Sequence, residues 1–156
     1  MDVLNAIGGW PGAVWLHGSS TAYLFVNATH ILGIALLLGS ILPLDLRLMG
    51  CFRSVPLAII GPFLTRGAAV GLTLALLTGL WLFSVNPVRY SANPAFLAKI
   101  GLLGLALANL SITHASGVFP RAIDSGRPSP ALRIAAAVSF MTWLTILVAG
   151  RWIGFL

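Results

Sequence analysis

The stretch YLFVNATHILGIALLLGSILPL, Tyr23 to Leu44, decides the fold. It matches the roughly 20 apolar residues that an α-helix needs to cross about 30 Å of hydrocarbon, so it reads as a membrane span. Inside it sits His30, whose imidazole has no partner in lipid. A titratable ring there has to be hydrogen-bonded within the protein, turned toward a polar cavity or bonded to a metal.

Working outward, three more apolar stretches follow, and the four spans run at about Tyr23–Leu46, Gly67–Ser84, Pro94–Thr113 and Pro130–Trp152. The chain has 156 residues, 58% of them hydrophobic and 8% charged, with a mean hydropathy of +0.99. Soluble globular domains do not have this composition. The spans leave no length for a separate water-soluble domain. The expectation is an all-α fold, one integral-membrane four-helix bundle over residues 1–156 with a short N-terminal interfacial segment. An even number of spans puts both termini on one side.

The net charge of +6 does not mark a nucleic-acid partner, because the basic residues are spread singly between apolar spans. Arg47, Arg53 and Arg66 follow the first span and Arg121, Arg127 and Arg133 lie between the third and fourth, whereas the opposite side has Arg89, Lys99 and Arg151. The positive-inside rule therefore expects the first and third connections in the cytoplasm and both termini outside. The first twenty residues lack the basic start and uninterrupted apolar core of a removed signal peptide. Trp10, Pro11, Trp15 and His17 instead suit a segment at headgroup depth. Cys51 is the only cysteine, so it has no internal disulfide partner.

Local signals sharpen the spans. Ser19, Ser20 and Thr21 offer an N-cap to the first, and Pro43 is expected to kink or end it. Val55 to Pro62 is apolar but contains two prolines, and is expected to form a re-entry at the inner interface rather than another crossing. Gly67 and Gly71 form a small-xxx-small pair suited to close helix packing. Asn86-Pro87 ends the second span, Asn93-Pro94 opens the third with an N-cap followed by proline at the first helical position, and Ser129-Pro130 caps the fourth.

Three histidines limit the chemistry. Counted at 1.5 Å per residue from the outer helix ends, His30 lies about 10 Å deep, Lys99 about 8 Å and His114 about 30 Å. His30 and Lys99 thus share a level, and a neutral lysine amine can bind iron. The competing readings are a packing histidine bonded to Asn27 or to a backbone carbonyl, and a lysine extended toward the headgroups. Asn27 shares the face of His30 and joins it as a candidate cofactor contact. Arg151, at the outer end of the fourth span, is a candidate for holding a heme propionate, because its fork suits carboxylates. His17 and His114 are second-choice metal ligands, the latter better suited to anchoring at the inner interface. Arg47 is expected to pair with Asp45 or Asp124. Only three acids occur, none placed mid-membrane, which argues against a carboxylate-lined proton pump or channel. Met1, Met49 and Met141 are too scattered for a copper path.

Thr29-His30-Ile31-Leu32-Gly33-Ile34-Ala35 with Asp45-Leu46-Arg47, Asn93-Pro94-Ala95-Phe96-Leu97-Ala98-Lys99 with Asn109 and His114, and Gly150-Arg151-Trp152-Ile153 together resemble an uncharacterised four-helix branch of small bacterial membrane proteins. That branch lies near the HemJ-like protoporphyrinogen oxidases and the copper-resistance D membrane domain. The resemblance implies heme b, with His30 and Lys99 in the positions of the first-helix histidine and third-helix lysine associated with it. The leading expectation is a b-type heme protein of the bacterial inner membrane, transferring electrons between a quinone or a redox partner protein and a second partner. A porphyrinogen oxidase and a cofactor-free accessory subunit of a larger membrane complex stand as alternatives.

Overall fold

The computed structural model describes residues 2–155. Two short helices, α1 (Asp2–Gly9) and α2 (Pro11–Gly18), precede the long helices α3 (Ser20–Met49) and α4 (Leu57–Val85). A single turn, α5 (Pro87–Ser91), leads into α6 (Pro94–Ala115), and α7 (Val118–Ser125) leads into α8 (Pro130–Trp152), which ends in a 3-10 turn at Ile153–Phe155. Four of these, α3, α4, α6 and α8, are long and apolar enough to cross a membrane. The protein is an all-α, multi-pass membrane bundle, and no strand occurs among the described residues.

Side chains at the helix starts supply the partners that orphan N–H groups need where lipid offers none. Ser19 Oγ accepts the Ala22 N–H at 3.2 Å. Asn93 Oδ1 accepts from Ala95 and Phe96, with Pro94 at the first helical position, and Ser129 Oγ accepts from Leu132. At the end of α3, Gly50 adopts φ 110° and its N–H reaches the Arg47 and Leu46 carbonyls, a left-handed closure that glycine makes without steric cost.

Two proline expectations are corrected. α3 continues through Pro43 to Met49, and α4 starts at Leu57 and runs through Pro62, so the 55–62 stretch is not a separate re-entry. A proline inside a helix forfeits one hydrogen bond, whereas ending the helix would expose several backbone groups to hydrocarbon. Continuing is cheaper. Asp45 and Arg47 both stand buried on this continuous helix.

The bundle consists of two pairs, α3 with α4 and α6 with α8, joined along α3 and α8. α3 and α4 meet most closely at glycines. A Cβ on Gly33 would lie 2.7 Å from the Ala75 nitrogen, and one on Gly71 would clash with the Leu37 backbone. Gly67, the other half of the small-residue pair, faces Ser40 Oγ at 2.5 Å from its would-be Cβ. In contrast, α4 and α6 do not pack along their length. They are bridged near the chain termini, where Phe83 stacks on Phe96 with ring centroids 5.3 Å apart.

The N-terminal segment is docked onto the bundle rather than merely adsorbed at its surface. Leu16 and Ala13 are buried, Trp10 Nε1 donates to Ser84 Oγ at 3.0 Å, and Trp81 Nε1 donates to the Gly12 carbonyl at 3.0 Å. Together α1 and α2 cover the end of the α3–α4 pair that carries the termini, called here the terminal face. The opposite end, with the connections around residues 51–56 and 116–129, is the loop face.

The glycine contact gives a direct prediction. Gly71→Ala should destabilise the bundle by about 1–3 kcal/mol, the usual cost of forcing an extra methyl into a filled interface. Gly101→Ala and Gly104→Ala, whose added methyls meet nothing within 4 Å, should leave thermal unfolding in detergent unchanged or slightly raised. An unaltered midpoint for Gly71→Ala would show that the helices do not cross at this point.

Candidate functional site

His30 is half-buried on the α4-facing side of α3. Its Nδ1 lies 3.0 Å from Thr78 Oγ1, and the Thr78 hydroxyl donates its one proton to the Leu74 carbonyl. Thr78 can therefore only accept from His30. The neutral ring carries its proton on Nδ1, and Nε2 keeps a lone pair. The ring lies against Gly79, where a Cβ would come within 3.0 Å of Cε1, and the Ala75 backbone is beside it. A ring held by a hydrogen bond at one nitrogen with the other left basic is the arrangement of a metal-ligating histidine. Any side chain at position 79 would displace it.

Lys99 is half-buried on α6 and folds against α8, with Nζ 3.5 Å from where a Gly150 Cβ would be. It is close enough to His30 to act on it through space. Above them on the terminal face, Phe83, Tyr90 and Phe96 form an aromatic cluster. Burial, together with the neighbouring Tyr23, pushes the Tyr90 phenol above its ordinary pKa, so this cover stays uncharged.

The other candidates lie apart from this pair. Asn27 is half-buried one turn before His30. Arg151 is exposed on α8 with its guanidinium 4.8 Å from the Phe155 ring centroid. His17 is exposed on α2. His114, near the end of α6 at the loop face, is exposed, bonds the Leu110 carbonyl through Nδ1 and packs on Phe119. Of the methionines, Met49 is half-buried and Met141 exposed, while Met1 lies outside the described residues. Among the described residues no three His, Cys, Asp or Glu side chains converge on one point. One imidazole and one amine are too few donors for a metal cage built by the protein alone.

A second polar centre was not anticipated. Asp45 is only 3% exposed, its Oδ2 has no hydrogen-bond partner, and Ser139 of α8 lies beside it. The expected pairing with Arg47 is not made. Arg47 is itself buried and donates Nε to the Val55 carbonyl at 2.8 Å. Asp45 lines a cavity of about 350 Å³ in the loop-face half of the bundle, between α4 and α6. The sequence signal was the stripe Leu37, Ile41, Leu44, Asp45, Leu48, which keeps helical phase once α3 is allowed to continue past Pro43.

The pairing of His30 with Lys99 can be checked without any cofactor. His30→Cys and Lys99→Cys, combined in a Cys51→Ser background, should cross-link within the monomer with a short bifunctional thiol reagent. Moving the second cysteine to exposed Leu97 should prevent this, and equal cross-linking from position 97 would place Lys99 outside the bundle.

No curated protein and no solved structure matches this chain. A family model does match, over residues 10–156. That match takes in every spanning helix and both polar centres, and the chain belongs to the DUF6644 family, a family of unknown function.

Proposed function

We propose that the protein is a membrane-embedded electron carrier that binds heme b, which His30 Nε2 and Lys99 would hold. One observation carries the reading: the Thr78 hydroxyl, committed to Leu74, orients the ring and leaves Nε2 free. When bound, heme supplies one-electron chemistry at its iron. The chain's own residues hold and orient it. Thr78 sets the tautomer, Gly79 gives the imidazole room to lie flat against α4, and Gly150 does the same for the Lys99 stem. The aromatic cluster at Phe83 and Phe96 keeps water from the terminal face. Arg151, next in sequence to Gly150, supplies a guanidinium for a propionate at that surface.

The same reading places the protein in a bacterial inner membrane. The Arg-rich connections of the loop face lie in the cytoplasm by the positive-inside rule, and both termini and the His30 level face the periplasm. A quinone and a redox protein are the partners that such a carrier needs. A second reading, an accessory subunit, is favoured by α6, in which Ala106 alone is buried. This leaves most of that helix for a neighbour in the membrane.

Expression with ample heme should yield a protein with a Soret band and, on reduction, an α band. His30→Ala should abolish both. Thr78→Val should retain the pigment but weaken heme retention by roughly 10–100-fold, the usual effect of removing a partner behind a ligating histidine. Lys99→Leu, which removes the donor and supplies no other, should keep the heme and convert a low-spin spectrum to a high-spin one. A colourless wild-type protein that co-purifies with a larger complex would overturn the heme reading in favour of the accessory subunit.

A further inference from the structure

The cavity beside Asp45 is a separate place in the molecule. Along α3 it lies about 22 Å from His30 at 1.5 Å per residue, and neither His30 nor Lys99 lines it. Its volume of about 350 Å³ is at the small end of the range for ligand pockets, roughly 300–1,000 Å³. Trp143 and Phe119 contribute flat apolar walls. Because α4 and α6 do not pack along their length, the cavity opens sideways toward the bilayer, past the exposed Ala69 on α4.

Its lining includes the polar side chains of Asp45, Asn109, His114 and Ser139. Asp45, with Ser139 beside it, has its Oδ2 buried without a hydrogen-bond partner. Asn109 spends its Nδ2 on the Ala135 carbonyl at 2.9 Å, which leaves its Oδ1 to accept. An acyl chain could fill such a volume, but the carboxyl would remain unpaired, and a buried polar group without a partner is costly. The occupant therefore has to arrive through lipid, present a flat apolar body, and bring a hydrogen-bonding oxygen at its edge.

We propose that this cavity binds a membrane-dissolved quinone or its hydroquinone, with the ring against its apolar walls and one ring oxygen at the Asp45 carboxyl. A carboxyl suits both forms of the ring. As a carboxylate it accepts from a hydroquinone O–H, and as an acid it donates to a quinone carbonyl. Asn109 Oδ1 supplies a further acceptor for a hydroquinone. The assignment shares no residue with the His30 site and stands whether or not that site binds heme.

The test uses the full-length protein in phosphatidylcholine nanodiscs with an azidoquinone photolabel, mapped by mass spectrometry, and decylubiquinone as competitor. Labelling should fall on α4, α6 or α8 around the cavity and be displaced by decylubiquinone but not by oleate. Asp45→Leu, which keeps the volume and removes the hydrogen bond, should weaken decylubiquinone competition about tenfold. Ala69→Phe, a change on the exposed rim that leaves the core intact, should block labelling. His30→Ala should not alter it, so loss of pigment and loss of quinone binding are read separately. Equal displacement by oleate, or labelling indifferent to both Asp45→Leu and Ala69→Phe, would overturn the proposal.

Discussion

The close crossing of α3 and α4 at Gly33 and Gly71 is the contact on which the rest of the structure depends. Lipid tails are as apolar as leucine, so no hydrophobic force draws two helices together in a bilayer, and backbone approach through small residues has to do it instead. Here the approach is close enough that a single methyl on Gly71 would strike the Leu37 backbone. With that crossing set, Thr78 and Gly79 lie two turns further along α4, opposite His30, and the imidazole meets a hydroxyl on one edge and a vacant Cβ position on its face. The orientation of the ring is thus a consequence of helix packing.

A bundle with one very close pair cannot also close all its flanks. α8 packs against α3 and α6 against α8, but α6 has Ala106 as its one buried residue and is not packed along α4. The open flank lies next to both polar centres. At the terminal face it is bridged by the Phe83–Phe96 stack, and toward the loop face it widens into the cavity beside Asp45. Binding sites between helices of a bundle are commonly built in this way, from side chains on facing helices around a gap that packing leaves open.

Much of the fold was legible because membrane spans are governed by two strong rules, length and internal hydrogen bonding. Asn93-Pro94 and Ser129-Pro130 placed the starts of α6 and α8 to the residue, since a capping side chain followed by proline has few other uses. The glycine pair at 67 and 71 announced a close contact, although not its partner on α3. What could not be read were the effects of Pro43 and Pro62. Proline rules come largely from helices in water, where a broken helix can be rehydrated; in hydrocarbon the break costs more than the lost bond. Expecting Arg47 to pair with Asp45 or Asp124 gave Asp45 a partner in advance and hid the second polar centre. His30 and Lys99 were recognisable as out of place, but the role of Thr78 was not, because it comes from another helix and depends on a crossing that no local pattern specifies.

Asp45 and His30 illustrate two ways for one helix to carry a polar group through an apolar bundle. His30 meets its need at one nitrogen through a hydroxyl that has already spent its own proton, so the free nitrogen is a consequence of satisfaction elsewhere. Asp45 has its Oδ2 buried without a partner, although a buried arginine stands two residues away. Arg47 turns instead to the Val55 carbonyl in the connection leading to α4. Had the pair closed on itself, both charges would be neutralised and the cavity would be lined by a finished ion pair with nothing left to offer. A carboxyl kept from its nearest cation, inside a space open to lipid, is costly to maintain unless something else completes it. The same reasoning applied to His30 points to an electrophile, and applied to Asp45 it points to a hydrogen-bonding oxygen. The two centres thus differ in the chemistry that they lack as well as in depth.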